Sequence, residues 1–307
     1  MADMPTSLKI WLKSFNDTLE QANLLAIPPT PEMARLGLAT ITQQLVVSEV
    51  EISRVIDTHI NGTSIPCRIY HPTPNEALPV LIFFHGGGHM CGSVEVYDPI
   101  NRRLASHSQH IVVAIDYRLA PEYPYPKGLV DCIMSLEEIN RTLEQLDLPF
   151  QQAVSIAGDS AGGALAATLA QRNPEKVNHL ALIYPSLDYT FSSDSLVDYR
   201  EGYLLETAKM QWYFDQYFQQ GEDRRDASPL FSALPSNHPE TIVITAGFDP
   251  LQDEGKRYVE RLQVLGIDSK HISGDKGQLT CTLIRIQGFK VQHVGLYLLL
   301  TCCCWGW

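Results

Sequence analysis

The stretch Ala153-Val-Ser-Ile-Ala-Gly-Asp-Ser-Ala-Gly-Gly163 decides the fold class of this chain. Residues 153–157 form an apolar run typical of a buried strand, and the small residues from Ala161 to Gln171 are typical of a helix. The G-x-S-x-G sequence between them places a serine on a sharp turn from the strand into the helix. The stretch therefore predicts an α/β protein with Ser160 as candidate nucleophile, although an ordinary strand-to-helix turn also fits so short a pattern.

Strand and helix patterns alternate on both sides of this stretch. In segments 128–146 and 251–265, apolar residues recur at the three- and four-residue spacing of one helix face. Further strands are predicted at residues 50–60, 65–70, 79–84, 111–115, 180–184 and 241–245, with a turn at Asn61-Gly62. This alternation is typical of an α/β fold, with a mainly parallel central sheet flanked by helices.

Two helical segments interrupt the alternation. Residues 1–48 are rich in Leu, Ala and Gln, and residues 189–225 are rich in aromatic and charged side chains. We expect them to form the two parts of a helical cap over one end of the sheet, although ordinary peripheral helices would show the same composition. The catalytic core would then comprise residues 49–188 and 226–267, and residues 268–307 form an atypical C-terminal segment.

His85-Gly-Gly-Gly88 follows the predicted strand 79–84 and supplies backbone N–H groups without side chains. Such a run can hold the negatively charged oxygen of a tetrahedral intermediate. The candidate oxyanion-hole donors are the N–H groups of Gly86, Gly87, Gly88 and Ala161. Of the glycines we favour Gly87 and Gly88, and we expect His85 to be structural. A phosphate-binding loop would continue with Lys and Ser or Thr, whereas His89-Met-Cys-Gly92 follows here.

Asp249 follows the predicted strand 241–245 and is the candidate acid. Sites of this type have the chain order Ser, then Asp or Glu, then His, and Asp249 comes after Ser160. An ionised carboxylate there would orient a histidine and stabilise its imidazolium form. Asp253 and Glu254 lie one turn into the next helix, and we interpret them as acids that complement the helix dipole.

Composition limits the functions that this chain can serve. Of 307 residues, 45% are hydrophobic and 19% charged, and the net charge is −12, which gives no general attraction to nucleic acid or anionic lipid. The sequence has no apolar run typical of a signal peptide or membrane span. Seven cysteines, an odd number, favour a reducing cytoplasm over a disulfide framework. Adjacent Cys302, Cys303 and Cys304 lack the spacing of zinc sites, so no metal or other cofactor is predicted.

Four motifs follow one another in register between about residue 50 and residue 267: His85-Gly-Gly-Gly88, Asp116-Tyr-Arg-Leu-Ala-Pro-Glu122, Gly158-Asp-Ser-Ala-Gly-Gly163 and Asp249-Pro-Leu-Gln-Asp-Glu-Gly255. Together they resemble the bacterial hormone-sensitive lipase family of α/β-hydrolases. The resemblance implies a serine carboxylesterase that hydrolyses short-chain acyl esters through an acyl-enzyme intermediate. It implies Ser160 as nucleophile, Asp249 as triad acid, an oxyanion hole of Gly87, Gly88 and Ala161, and the cap. Family members often form dimers, so a homodimer is compatible with it.

The catalytic histidine of that family lies in a His-Gly-Phe segment shortly after the final strand, and this sequence has no such segment. Gln287-Gly-Phe289 resembles it, but glutamine cannot carry the proton at neutral pH. His271 is expected in or before the last strand, which leaves His293 as the remaining candidate. Two hypotheses stand: an esterase, favoured by the intact motifs, and a catalytically impaired small-molecule binding protein that lacks the triad histidine.

The end of the sequence offers a further explanation. Leu298-Leu-Leu-Thr-Cys-Cys-Cys-Trp-Gly-Trp307 stands where a terminal amphipathic helix is expected. Codons for Cys-Cys-Cys-Trp, read one base later, encode three Ala or Val residues and then Gly. Codons for Thr280-Cys281 can likewise encode His-Ala in the next frame. We therefore hypothesise a frameshift between about Ile267 and Thr280, which would remove the triad histidine from this chain.

Overall fold

An eight-stranded sheet forms the centre of the computed structural model, which describes residue 4, residues 6–23, 28–46 and 50–274, and the backbone of residues 283–285 and 297–299. Its strands are β1 (Arg54–His59), β2 (Pro66–His71), β3 (Leu78–Phe84), β4 (Ile111–Ile115), β5 (Phe150–Asp159), β6 (His179–Ile183), β7 (Glu240–Thr245) and β8 (Ser269–Ser273). The spatial order is β1-β2-β4-β3-β5-β6-β7-β8. Strand β2 is antiparallel to both of its neighbours, and the other pairs are parallel. The predicted α/β fold with a mainly parallel sheet is confirmed.

The described residues form nine α-helices around this sheet. They are α1 (Thr6–Asn23), α2 (Pro31–Leu45), α3 (Asp98–Ser108), α4 (Lys127–Gln145), α5 (Ala161–Arg172), α6 (Ser195–Asp198), α7 (Thr207–Tyr217), α8 (Arg224–Ala227) and α9 (Gln252–Val264). Helices α4 and α9 lie within one residue of the segments predicted from apolar spacing. Helix α3 is not predicted, because its few apolar residues are diluted by polar and charged ones.

Both faces of the sheet are buried, and side chains alternate between them. In β3, Val80, Ile82 and Phe84 pack in one hydrophobic cluster with the apolar faces of α4, α5 and α9. Leu81 and Phe83 pack in the other cluster with α3 and the two N-terminal helices. Burial on both faces explains why the central strands are continuous apolar runs, without the polar alternation of a half-exposed strand.

The N-terminal helices pack against the segment 189–225. Leu12 of α1 and Leu38 of α2 are buried in the same cluster as Leu204 and Tyr213. The side-chain amide of Asn16 donates to the carbonyl of Gly202 over 3.1 Å. The two stretches that interrupt the α/β alternation in sequence therefore share one hydrophobic core.

Arg35 attaches α2 to the loops at the carboxyl end of the sheet. Its Nε donates to the Met90 carbonyl at 2.9 Å, and one terminal nitrogen donates to the Ala120 carbonyl at 3.0 Å. The guanidinium also makes two hydrogen bonds to the Glu122 carboxylate, at 2.9 and 2.6 Å. The Asp116-to-Glu122 motif thus helps to place α2 beside the loop of residues 85–88, called the glycine loop below.

Two short strands complete the described part of the chain. Strands β9 (Leu283–Arg285) and β10 (Tyr297–Leu299) pair antiparallel with each other and are separate from the central sheet. Gln287, His293 and Cys302 to Cys304, on which sequence-based interpretations rest, lie outside the described residues. None of the helices described above is long and apolar enough to cross a membrane.

Candidate active site

Ser160 occupies a strained turn at the carboxyl end of β5. Its backbone has φ 50° and ψ −119°, a region that residues with a side chain rarely adopt, and α5 begins at the next residue. The turn is held by hydrogen bonds from the Ser160 N–H to the Ile183 carbonyl (2.9 Å) and from the Ser186 N–H to the Ser160 carbonyl (3.0 Å). The serine of the G-x-S-x-G sequence therefore stands between strand and helix, as predicted.

The glycines beside Ser160 are required by close packing of the backbone. A Cβ on Gly158 would overlap the carbonyl of Gly162, and one on Gly162 would overlap the carbonyls of Phe84 and His85. Helix α5 consequently approaches the end of β3, which carries the glycine loop. The packing brings the N-terminal turn of α5, with its unpaired N–H groups, next to that loop.

The glycine loop has a conformation that only glycine adopts freely. Gly87 has φ 135° and Gly88 has φ 55°. A Cβ on Gly87 would overlap the carbonyl of Cys91, and one on Gly88 would lie 2.6 Å from the ring of Tyr213. Within residues 50–274, the N–H groups of Gly87, Gly88 and Ala161 donate no hydrogen bond, so each is available to a ligand oxygen.

Gly86 is turned away from that role, which corrects the sequence-based set of donors. Its N–H donates to Asp159 Oδ1 over 2.7 Å, while the Tyr97 hydroxyl donates to Asp159 Oδ2 over 2.9 Å. Burial raises the pKa of Asp159 to about 7, and the two hydrogen bonds partly offset that rise. Asp159 therefore ties the turn that holds Ser160 to the start of the glycine loop.

His85 is a structural residue in this site. Its ring is buried and stacks on Tyr117, with 4.5 Å between ring centroids, and Nδ1 lies 2.7 Å from the Gly86 carbonyl. Burial lowers the pKa of His85 to about 4, so the ring is neutral at physiological pH. The structural role predicted for His85 agrees with this geometry.

Helix α7 packs directly on the glycine loop, a contact that sequence reasoning missed. Tyr217 stacks on His89 with 3.9 Å between centroids, and the Tyr189 hydroxyl lies 2.9 Å from His89 Nε2. Burial lowers the pKa of His89 to about 3, so this imidazole is also neutral. The repeat of Tyr213 and Tyr217 one helical turn apart was the available signal, because it places both rings on one face of α7.

Asp249 lies on the loop after β7, at the same edge of the sheet as Ser160. Its Oδ1 accepts the N–H of Leu251 over 2.9 Å. That is its single hydrogen-bond donor among the described residues. Burial raises the pKa of Asp249 to about 7, and the Leu251 N–H opposes the rise. The carboxylate is thus desolvated with little compensation.

The two acids after Asp249 hold the neighbouring loop. Glu254 is buried and accepts the N–H groups of Leu187 and Asp188, just after β6. Asp253 accepts the N–H of Ser195 over 2.9 Å. Both lie in the first turn of α9, as the dipole interpretation requires, but their long-range contacts were missed because sequence spacing does not show which loop faces a helix.

No histidine among the described residues is hydrogen-bonded to Ser160 or Asp249. His271 lies in β8, as expected, and its Nε2 is 2.9 Å from Thr245 Oγ1. The structure therefore assembles a serine, a carboxylate and three free N–H groups at one sheet edge. This arrangement suits attack on an acyl carbonyl once a base is present.

Comparisons with known proteins point the same way. A sequence model of the alpha/beta hydrolase fold matches residues 81–276. The carboxylic ester hydrolase LipN of Mycobacterium tuberculosis is 30% identical over 79% of this chain and 68% of its own length. An ethyl acetate hydrolase of Pseudomonas putida is 32% identical over 70% of this chain and 71% of its own length. The solved structure of an ester-hydrolase from the metagenome of Lake Arreo superposes with a TM-score of 0.80 and 32% identity, over 89% of this chain and 90% of that one.

Proposed function

Because the chain belongs to the α/β-hydrolase fold family and is a serine esterase of it, we propose that Ser160 is its nucleophile and Asp249 its triad acid. The N–H groups of Gly87, Gly88 and Ala161 form the oxyanion hole. The observation that carries this assignment is the strained backbone of Ser160, φ 50°, directly before the free N-terminal turn of α5. Such a strained serine at a strand-to-helix turn is expected where the hydroxyl serves chemistry.

The reaction proceeds through an acyl-enzyme. Ser160 Oγ attacks the carbonyl carbon of the ester while its proton passes to a base, and the carbonyl oxygen takes up negative charge beside the three N–H groups. Each such donor typically lowers the transition-state free energy by about 2.7–4 kcal/mol. Collapse of the intermediate expels the alcohol, and water then releases the acid by the same steps.

The base is supplied by a residue beyond Gly274. Asp249 supports this proposal, because its carboxylate is buried with one N–H donor and its pKa is raised to about 7. An imidazole N–H beside it would stabilise the ionised form and bring the pKa down. Within this sequence His293 is the remaining candidate. In the frameshift hypothesis, the histidine is encoded in the other frame.

The substrates are esters with a short acyl chain. The proposed cap, residues 1–48 and 189–225, supports this, because α7 places the rings of Tyr213 and Tyr217 against the glycine loop, beside the proposed oxyanion hole. The relative from Pseudomonas putida is an ethyl acetate hydrolase, which agrees with small substrates.

Hydrolysis of p-nitrophenyl butyrate tests the proposal. We expect release of p-nitrophenol above the uncatalysed rate, abolished by Ser160→Ala, with full retention in Ser186→Ala as a matched control on the same sheet edge. Equal rates in the chain and in Ser160→Ala would overturn the claim of turnover for this chain. If p-nitrophenyl butyrate then still bound saturably without turnover, the binding-protein hypothesis would replace it.

We further propose a cytoplasmic location and a homodimer. The three described cysteines, Cys67, Cys91 and Cys132, are free and buried, which supports a reducing compartment. Light scattering on the eluting peak of a size-exclusion column measures the oligomeric state directly. A mass close to that of one chain across the micromolar range would refute the dimer.

A further inference from the structure

A second cleft lies along the C-terminal half of α9. It has a volume of about 660 Å³, and its walls include Arg225, Phe231, Arg257 and Arg261. Asp249 precedes α9 directly, and a helix of 13 residues spans roughly 20 Å. The end of the cleft at Val264 and Leu265 is therefore remote from Asp249.

Two guanidinium groups lie against one aromatic ring in this cleft, and a third is bonded to the backbone next to that ring. The Arg225 guanidinium lies 3.9 Å from the centroid of the Phe231 ring, and that of Arg257 lies 5.8 Å from it. Arg261 donates to the carbonyls of Leu230 and Ser232, on either side of Phe231 in sequence. Contacts of this kind hold the cations in place before any ligand arrives, which lowers the entropy lost on binding.

The positive charge of the cleft is only partly neutralised. Arg257 lies 3.8 Å from the Asp188 carboxylate, and Glu260 also lines the cleft. Across the described ranges, neither Arg225 nor Arg261 forms a salt bridge. The cleft is thus a local concentration of cations on a chain whose net charge is −12.

Apolar surface continues the cleft at the end of α9. Val264 is 84% exposed and Leu265 is 57% exposed, and both line the cleft beside Phe231. These exposed aliphatic side chains lie next to the arginines of the cleft, so the cleft offers both an apolar and a positively charged surface to an amphipathic anion.

We propose that this cleft binds a small amphipathic carboxylate. The carboxylate is held by Arg225, whose planar fork matches its two oxygens, and the positive charge of Arg261 lies in the same wall. The alkyl chain lies on Phe231, Val264 and Leu265. The cleft volume is that of a small-molecule site. A nucleic acid or an anionic bilayer is disfavoured, because its many charges would meet the negative field of the whole chain. This proposal does not depend on the proposed esterase activity.

Isothermal titration calorimetry with octanoate tests it on the full chain. We expect saturable binding that is about tenfold or more tighter than that of acetate, inorganic phosphate or octanamide, because octanoate alone has both the charge and the alkyl chain. Raising the salt concentration should weaken it. Octanamide binding as tightly as octanoate, phosphate binding as tightly, or no saturable binding would each overturn the proposal.

A pair of substitutions locates the binding. Arg225→Gln should weaken octanoate binding about tenfold or more, whereas Arg54→Gln, which makes the same charge change on exposed strand β1 at the opposite edge of the sheet, should leave it unchanged. The Arg225 side chain is exposed and its replacement removes the contact with the Phe231 ring, so the unfolding midpoint should fall by no more than about 4 °C and the variant stays folded in the assay. Equal octanoate affinity in Arg225→Gln and the original chain would place the ligand elsewhere, including the proposed acyl site, and refute this cleft.

Discussion

Two buried aspartates stand at the same edge of the sheet, and their surroundings differ. Asp159, at the end of β5, accepts hydrogen bonds from the Gly86 N–H and the Tyr97 hydroxyl. Asp249, after β7, accepts one from the N–H of Leu251, two residues away. Burial raises the pKa of both to about 7. The first carboxylate is bonded to residues distant in sequence, whereas the second has a single, local hydrogen bond within the described part of the chain.

The difference separates a structural carboxylate from a catalytic one. Asp159 joins two loops, and both of its hydrogen-bond donors belong to the described residues. Its removal should therefore lower the free energy of unfolding. Asp249 does little for the described fold, because it is desolvated without a long-range partner. Because desolvation destabilises this carboxylate, we expect it to have a function, namely to bind a group outside the described residues such as a triad histidine.

The largest expected effect comes from restoring that histidine. If the gene carries a frameshift between about Ile267 and Thr280, the chain read in the other frame should contain a histidine near residue 281. Its rate of p-nitrophenyl butyrate hydrolysis should exceed that of the present chain by roughly a thousandfold or more, because a serine without its base is a weak nucleophile. Sequencing the gene and assaying both chains, each beside its Ser160→Ala variant, measures this. An early stop codon, or no histidine in the other frame, would remove the frameshift hypothesis.

The next largest effect is expected on stability, when the structural carboxylate of Asp159 is removed. Asp159→Ala leaves the Gly86 N–H and the Tyr97 hydroxyl without their shared acceptor, so we expect the free energy of unfolding to fall by about 3 kcal/mol. Urea denaturation at pH 7 measures it, with Asp226→Ala on exposed helix α8 as a control that should stay within about 0.5 kcal/mol. A loss below about 1 kcal/mol would mean that the two loops are held without Asp159.

A smaller loss is expected when Asp159 keeps one of its two donors. Tyr97→Phe removes the hydroxyl and preserves the ring, so the free energy of unfolding should fall by about 1.5 kcal/mol. In a double-mutant cycle the two losses should not add, because both remove the same hydrogen bond. Strict additivity would show that Tyr97 acts through its other contacts.

The strands and the glycine motifs could be predicted because their causes are local. A strand buried on both faces must be apolar throughout, as β3 and β4 are, and the turn at Ser160 needs glycines next to it. Gly86 was wrongly predicted as an oxyanion-hole donor, because the residue that accepts its N–H lies far from it in sequence. The direction of its N–H depends on Asp159, which itself depends on Tyr97, and no spacing in the sequence reveals such a contact. The contacts of Glu254 with the loop after β6 escaped prediction for the same reason.

The last substitution is at Asp249, and at acidic pH its effect on stability should be the smallest of all. Asp249→Asn keeps the oxygen that accepts the Leu251 N–H, so at pH 4, where the folded chain carries a protonated carboxyl, the free energy of unfolding should change by less than about 1 kcal/mol. At pH 7 the substitution removes a poorly compensated charge, so the free energy of unfolding should rise.

The pH dependence of that substitution is the sharper measurement. The folded-state pKa of Asp249, about 7, lies above the unfolded value near 3.9, so the protonated carboxyl favours the folded state. Its stabilising contribution is complete below the unfolded pKa and is lost as the pH rises through the folded one. Between pH 7 and pH 4 the original chain should therefore gain roughly 1 kcal/mol per pH unit over Asp249→Asn, while the control Asp226→Asn shows no such divergence. Parallel curves for the original chain and Asp249→Asn would show that a partner already stabilises the ionised carboxylate, and the contrast with Asp159 would fail.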